Sequence, residues 1–155
     1  ERFTNATKPN SFLEELNTQI KYITHENMEV RVYGLNFLKK MLAGKRLELN
    51  ELILGNNGMS WSIVELIDIL ITGCRDNEEK IKLACCDCIG ELGAIEPSHF
   101  PRKYTMTDSN FNFYITDPGF VKNALLELIR VFQTEEHTLN MNRYALAIQE
   151  ILKVY

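Results

Sequence analysis

Apolar residues recur along this chain at spacings of three and four, the period of one face of an α-helix. Leu13, Leu16, Ile20 and Ile23 make the first stripe, after Pro9 and with Ser11 as its predicted N-cap. Val30, Tyr33, Phe37, Leu38 and Met41 make the second, predicted to stop at Gly44. Only the polar turn His25-Glu26-Asn27 separates them, so the two helices are predicted to be antiparallel neighbours. The figure then returns. Trp61, Val64, Ile67 and Ile71 lead to the turn Arg75-Asp76-Asn77, and Ile81, Ala84, Cys85, Cys88, Ile89 and Leu92 follow it, with Gly93 as the stop. In a third pair, Phe120, Leu125, Leu128, Ile129 and Phe132 precede Tyr144, Ala147, Ile148, Ile151 and Tyr155.

These pairs overlay. Asn27 to Arg31 matches Asn77-Glu78 through Ile81-Lys82: a polar turn, an acidic first helical turn, then a β-branched residue with a basic one beside it. Phe37 then falls on Cys88, Leu38 on Ile89 and Met41 on Leu92. The acidic first turns complement the helix macrodipole. Repeated helix pairs are the mark of an α-solenoid, and the layout is that of HEAT-type repeats. The predicted fold is therefore all-α, an α-solenoid of about three HEAT-like antiparallel helix pairs.

Two segments interrupt the pattern. Leu47 to Ser60 carries the turn signal Gly55-Asn56-Asn57-Gly58 and predicts a short helix over Leu49–Leu54. The longer interruption, Glu96 to Gly119, is a Pro/aromatic loop between the second and third pairs. Pro97, Pro101 and Pro118 forbid a continuous helix there. Phe111-Asn112-Phe113-Tyr114-Ile115 alternates as an extended run does, and the loop aromatics are predicted to pack back onto the helices. The chain opens on Glu1 rather than Met, and Tyr155 lies inside an apolar pattern, which reads as a piece of a longer chain.

Composition narrows the function classes. With 155 residues, 45% of them hydrophobic, the chain suits one unit that builds its core without disulfides or metal. A net charge of −4 argues against a dedicated nucleic-acid or anionic-membrane surface, so neither partner is expected. No uncharged apolar stretch approaches the ~18 residues of a membrane span. Glu1 to Asn10 has no apolar signal core.

The chemistry-bearing residues read as structural. Cys85 and Cys88 have the spacing of a zinc half-site, but they share one predicted helix with Cys86, and a helix cannot converge all three on one ion. Cys85 and Cys88 are expected on the inward face as small buried hydrophobes, with Cys74 nearby. Cys86 is expected to point aside, and would be the reactive thiol if exposed. With no secretory signal, reduced thiols are expected rather than disulfides. His25, His99 and His137 fall in separate predicted turns, where none serves a cysteine as base. Glu14-Glu15, Glu78-Glu79 and Glu135-Glu136 read as solvated charge. Lys39-Lys40, Lys45-Arg46 and Arg102-Lys103 are the basic pairs, the first two near a helix C-terminus. The sequon Asn5-Ala6-Thr7 carries little weight without a secretory route.

One stretch has a family likeness. Gly90-Glu91-Leu92-Gly93-Ala94-Ile95-Glu96-Pro97 resembles a signature in the UME region of checkpoint kinases of the ATR type, within the phosphatidylinositol-3-kinase-related family. Cys85, Asp87 and Cys88 precede it in order, and Phe111-Asn112-Phe113 sits where that family has an aromatic pair. Leu125-Leu126-Glu127-Leu128 and Ala147-Ile148-Gln149-Glu150-Ile151-Leu152 resemble its two closing helices, with Tyr155 just beyond. The likeness covers Trp61 to Tyr155. In its own physical terms the signature is a helix stop: Leu92 continues the stripe, Gly93 closes the helix, Ile95 folds back and Pro97 forbids a restart.

The helical patterning gives a HEAT-like pair with a connecting segment over residues 1–60, and the resemblance implies a UME-like region over 61–155. It implies a non-catalytic scaffold segment of a nuclear serine/threonine kinase of the DNA-damage and replication-stress checkpoint. The partners it implies are proteins: the rest of the parent solenoid, an ATRIP-like partner subunit, or a second protomer. No catalytic, cofactor-binding or metal residue is assigned. Gly90-Glu91-Leu92-Gly93 is neither GxxxxGK[ST] nor GxGxxG, and the kinase elements DFG and HRD are missing from the chain. The alternative reading is a free-standing HEAT-like adaptor of another pathway.

Overall fold

A computed structural model describes residues 11–54, 60–93, 103–105, 112–114 and 119–153. Its helices are α1 (Ser11–Ile23), α2 (Met28–Gly44), α3 (Arg46–Leu54), α4 (Trp61–Gly73), α5 (Glu79–Gly93), α6 (Gly119–Thr134) and α7 (Thr138–Leu152). Helix α1 packs on α2, α4 on α5 and α6 on α7, giving the three expected pairs. The pairs stack in two rows: α2, α5 and α7 form one, and α1, α4 and α6 the other. This is an α-solenoid of helix pairs. The short helix expected over 49–54 is α3, which begins three residues earlier and touches α1 and α2.

The turns between paired helices form where acidic or amide side chains cap free backbone N–H groups. Asn27 Oδ1 accepts from the N–H groups of Glu29 at 2.8 Å and Val30 at 3.4 Å, opening α2. Asp76 Oδ1 accepts from Glu78 N–H at 2.9 Å, just before α5. Glu135 Oε1 accepts from His137 N–H at 3.0 Å, at the start of α7. His25 and His137 do lie in these turns, whereas His99 lies outside the described residues. Ser11, the predicted cap, is the first helical residue of α1.

One buried cluster runs through all three pairs, from Phe12 and Leu16 through Leu38, Leu70 and Ile89 to Leu128 and Ile151. Two predicted stripes are rotated from the observed ones. On α4 the predicted Val64 and Ile67 are buried, but the face also takes Ile63, Leu66 and Leu70; Trp61, two positions from Ile63 and so about 200° around the helix, is 65% exposed. On α2 the interior takes Leu35, Leu38, Met41 and Leu42, while Tyr33 and Phe37 stay outside. Helix α5 is flanked by α2 and α7, and buries Ile81, Leu83, Ala84, Cys85, Cys86, Cys88, Ile89 and Leu92.

Most of the loop over 96–119 lies outside the described residues, including the aromatic packing predicted for it. Within it Lys103–Thr105 and Asn112–Tyr114 form two short antiparallel strands, β1 and β2, with Tyr104 opposite Phe113. The second strand falls in the run that alternates in sequence.

Candidate interaction face

Several charged side chains of this chain join one helix pair to the next. Arg31 Nη2 of α2 donates to Asp76 Oδ2 in the α4–α5 turn at 2.7 Å. Lys39 Nζ of α2 donates to Asp87 Oδ2 of α5 at 3.0 Å, and Arg143 Nη2 of α7 donates to the same oxygen at 2.5 Å. Asp87 thus ties the whole α2–α5–α7 row, and its side chain is only 9% exposed. Arg46 Nη2 of α3 donates to Glu91 Oε2 at 3.0 Å. In the other row Glu127 of α6 accepts from Arg75 and from Arg130 Nε, the latter at 3.0 Å, while Arg130 Nη2 donates to the Cys74 carbonyl at 2.9 Å. Lys45 pairs with Glu15 across the first pair.

These partners set the local acidities. Arg75, by hydrogen bonding, holds the Glu127 carboxyl below its ordinary pKa, with Arg130 adding to it against the effect of burial. For Asp76, burial works upward, but the Glu78 N–H and the Arg31 guanidinium outweigh it and the pKa falls. Both groups stay ionised and paired at neutral pH.

Two basic pairs from the sequence, Lys39-Lys40 and Lys45-Arg46, therefore supply inter-helix ion pairs through Lys39, Lys45 and Arg46. That use was hidden in the sequence, where their acidic partners lie roughly 30–50 residues away. Asp87 offered a signal: it is the carboxylate set among Cys85, Cys86 and Cys88 in an otherwise apolar stretch.

All four cysteines are buried and free. Cys86 does not point aside: α4 packs on that side, and Cys86 Sγ donates to Cys74 Sγ at 3.5 Å. Cys88 Sγ donates to the Leu35 carbonyl at 3.5 Å across the α2–α5 contact. Burial pushes the Cys85 and Cys88 thiols up in pKa; for Cys86 the hydrogen bond to Cys74 leads and burial adds to it. Among the described residues no group of three or more His, Cys, Asp or Glu is arranged to hold a metal ion. No described helix is long and apolar enough to cross a membrane.

A shallow groove of about 250 Å³ runs along the α2–α5–α7 row, lined by Lys39, Asp87, Gly90, Glu91, Arg143, Leu146, Ala147 and Glu150. Gly90 and Glu91, the start of the Gly90 to Pro97 signature, are among its lining residues. Gly90 is helical, and a Cβ there would sit 3.0 Å from the Ala147 Cα. Gly90 to Gly93 form the end of a packed helix, so they are not a phosphate-cradling loop. A second groove of about 510 Å³ opens at the turns, where His25, Glu26, Arg31, Asp68, Thr72 and Asp76 meet.

The chain is 31% identical over 143 residues to the serine/threonine-protein kinase ATR of Drosophila melanogaster, a match over 92% of this chain and 6% of that protein. It corresponds to a segment of the ATR-type protein kinases. The ATR kinase of Arabidopsis thaliana is 29% identical over 151 residues, covering 93% of this chain and 6% of the plant protein. That of Oryza sativa subsp. indica is 29% identical over 148 residues, covering 91% and 5%. The chain thus spans about 5–6% of the length of the curated ATR kinases it matches. The ATR match begins well before Trp61, since it covers more than nine-tenths of the chain. No protein-family model matches the chain, and no solved structure matches it.

Proposed function

We infer that this chain is a non-catalytic scaffold segment of a nuclear serine/threonine kinase of the ATR type, serving the response to DNA damage and replication stress. The observation that carries this reading is the ATR likeness along nearly the whole chain, which corresponds to only 5–6% of those kinases. A segment of that size built from helix pairs tied by Asp76, Asp87 and Glu127 suits holding a spacing and a curvature. Residues 1–60 form a HEAT-like pair with its connecting segment, and 61–155 the UME-like region. Its contacts are with proteins: the flanking solenoid of the parent kinase, an ATRIP-like partner subunit, or a second protomer. Phosphoryl transfer is left to other parts of the parent chain.

The test is deletion of Ser98 to Asp117 from the full-length kinase, which spares the helices on either side. Expected is weakened association with the partner subunit and weakened activation, with basal phosphoryl transfer retained. Unchanged association and activation would remove docking by this loop.

A further inference from the structure

We propose that the aromatic face made by Tyr22, Tyr33 and Phe37 receives a further helix of the same longer chain, stacked on α2 as α2 is stacked on α5. This rests on reading the chain as one stretch of a longer helical array.

The side of α2 turned to the second pair is fixed by its contacts. Arg31 reaches Asp76, the Leu35 carbonyl takes the Cys88 thiol, and Lys39 reaches Asp87. At about 100° per residue, Tyr33 and Phe37 lie on the opposite side of the helix from Leu35. Tyr33 is 64% exposed and Phe37 38%. Tyr22 of α1 joins them, its ring edge-on to Tyr33 with centroids 6.4 Å apart. Three large rings on both helices of one pair make a contiguous apolar patch, which singly scattered surface residues do not.

The internal repeat says what covers such a face. In the overlay that places Phe37 on Cys88, Val30 falls on Ile81 and Tyr33 on Ala84. Ile81, Ala84 and Cys88 are all buried in α5, which has a preceding pair stacked on it. In α2 two of these three positions, Tyr33 and Phe37, are aromatic and exposed, and Val30 is half-buried. The rim is matched too: Lys40 falls on Glu91, which takes Arg46 of α3, the helix that follows the preceding pair. The arriving helix therefore carries aliphatic or small residues at spacings of three and four, and the segment that follows it a carboxylate to meet Lys40. A parent the length of the curated relatives has ample chain to supply it.

The test places a photo-reactive benzophenone amino acid at position 33 of the full-length kinase, and at position 61 as an exposed control. Irradiation and mass spectrometry locate the cross-links. Expected from position 33 is a cross-link within the same polypeptide, to an amphipathic helix preceding Glu1, with a yield that falls severalfold in Lys40→Glu. Cross-linking to a second copy, to another protein or to Glu1–Asn10, or none above the position 61 control, overturns the proposal. Failure of the scaffold reading shows separately, in basal phosphorylation abolished with partner association intact when Asp87 and Glu127 are both replaced by alanine.

Discussion

Gly90 of α5 and Ala147 of α7 meet so closely that a Cβ on Gly90 would lie 3.0 Å from the Ala147 Cα and 3.1 Å from its Cβ. The neighbour is helix backbone and a side-chain stub, neither of which can swing away. Gly90→Ala gains ~0.5–1 kcal/mol of helix propensity, but crowding a well-packed contact costs about 1–3 kcal/mol. The net expectation is a loss of stability in urea or thermal unfolding. Gly44→Ala is the control: a Cβ there meets nothing within 4 Å, so a gain of up to ~1 kcal/mol is expected. Equal gains at both positions would refute the close crossing.

Asp87 is expected to be the most sensitive surface-row carboxylate. Asp87→Ala leaves Lys39 and Arg143 without their shared acceptor, and both cations are themselves partly exposed and can turn to water. A loss of about 1.5–3 kcal/mol follows, the range for hydrogen bonds to charged groups. Asp87→Asn keeps the shape and one acceptor, so it is expected to fall between. Unfolding curves of the three proteins check the order.

Acid tests the Glu127 cluster. Its pKa is lowered in the folded chain, so the stability it contributes is full above the ordinary value of 4.5 and is lost as pH falls below that through the depressed value. Asp76 acts in the same direction from its ordinary 3.8. Stability measured from pH 6 down to 2 is expected to drop most below about pH 4.5, and Glu127→Gln is expected to flatten that drop. An unchanged slope in Glu127→Gln contradicts the pairing.

The thiols are expected to be inert while the chain is folded. The thiolate is the nucleophile, and burial disfavours it at Cys85 and Cys88, as the Cys74 contact does at Cys86. Iodoacetamide at neutral pH is expected to leave the native chain largely unlabelled and to modify all four cysteines in denaturant. Rapid native labelling of Cys86 would show that it does point aside.

Helix pairs, turns and stops were legible because they depend on local spacing: Asn27, Asp76 and Gly93 sit near the ends the pattern marks. The facing of each helix was harder. Tyr33, Phe37 and Trp61 are apolar and in period, yet the core of this chain takes Leu35 and Ile63 instead. A helix with apolar residues on two sides does not say which side this neighbour uses. The inter-pair bonds at Asp87 and Glu127 depend on residues about 50 positions apart, and no local pattern encodes those.

The most direct measurement is on the full-length kinase carrying Asp87→Ala together with Glu127→Ala, which loosen both rows of this segment without touching any phosphate-binding element. Peptide phosphorylation without stimulus and association with the partner subunit are read side by side. Retained basal phosphorylation with weakened partner association and activation is the expected result for a scaffold segment. Abolished basal phosphorylation with partner association intact would contradict it.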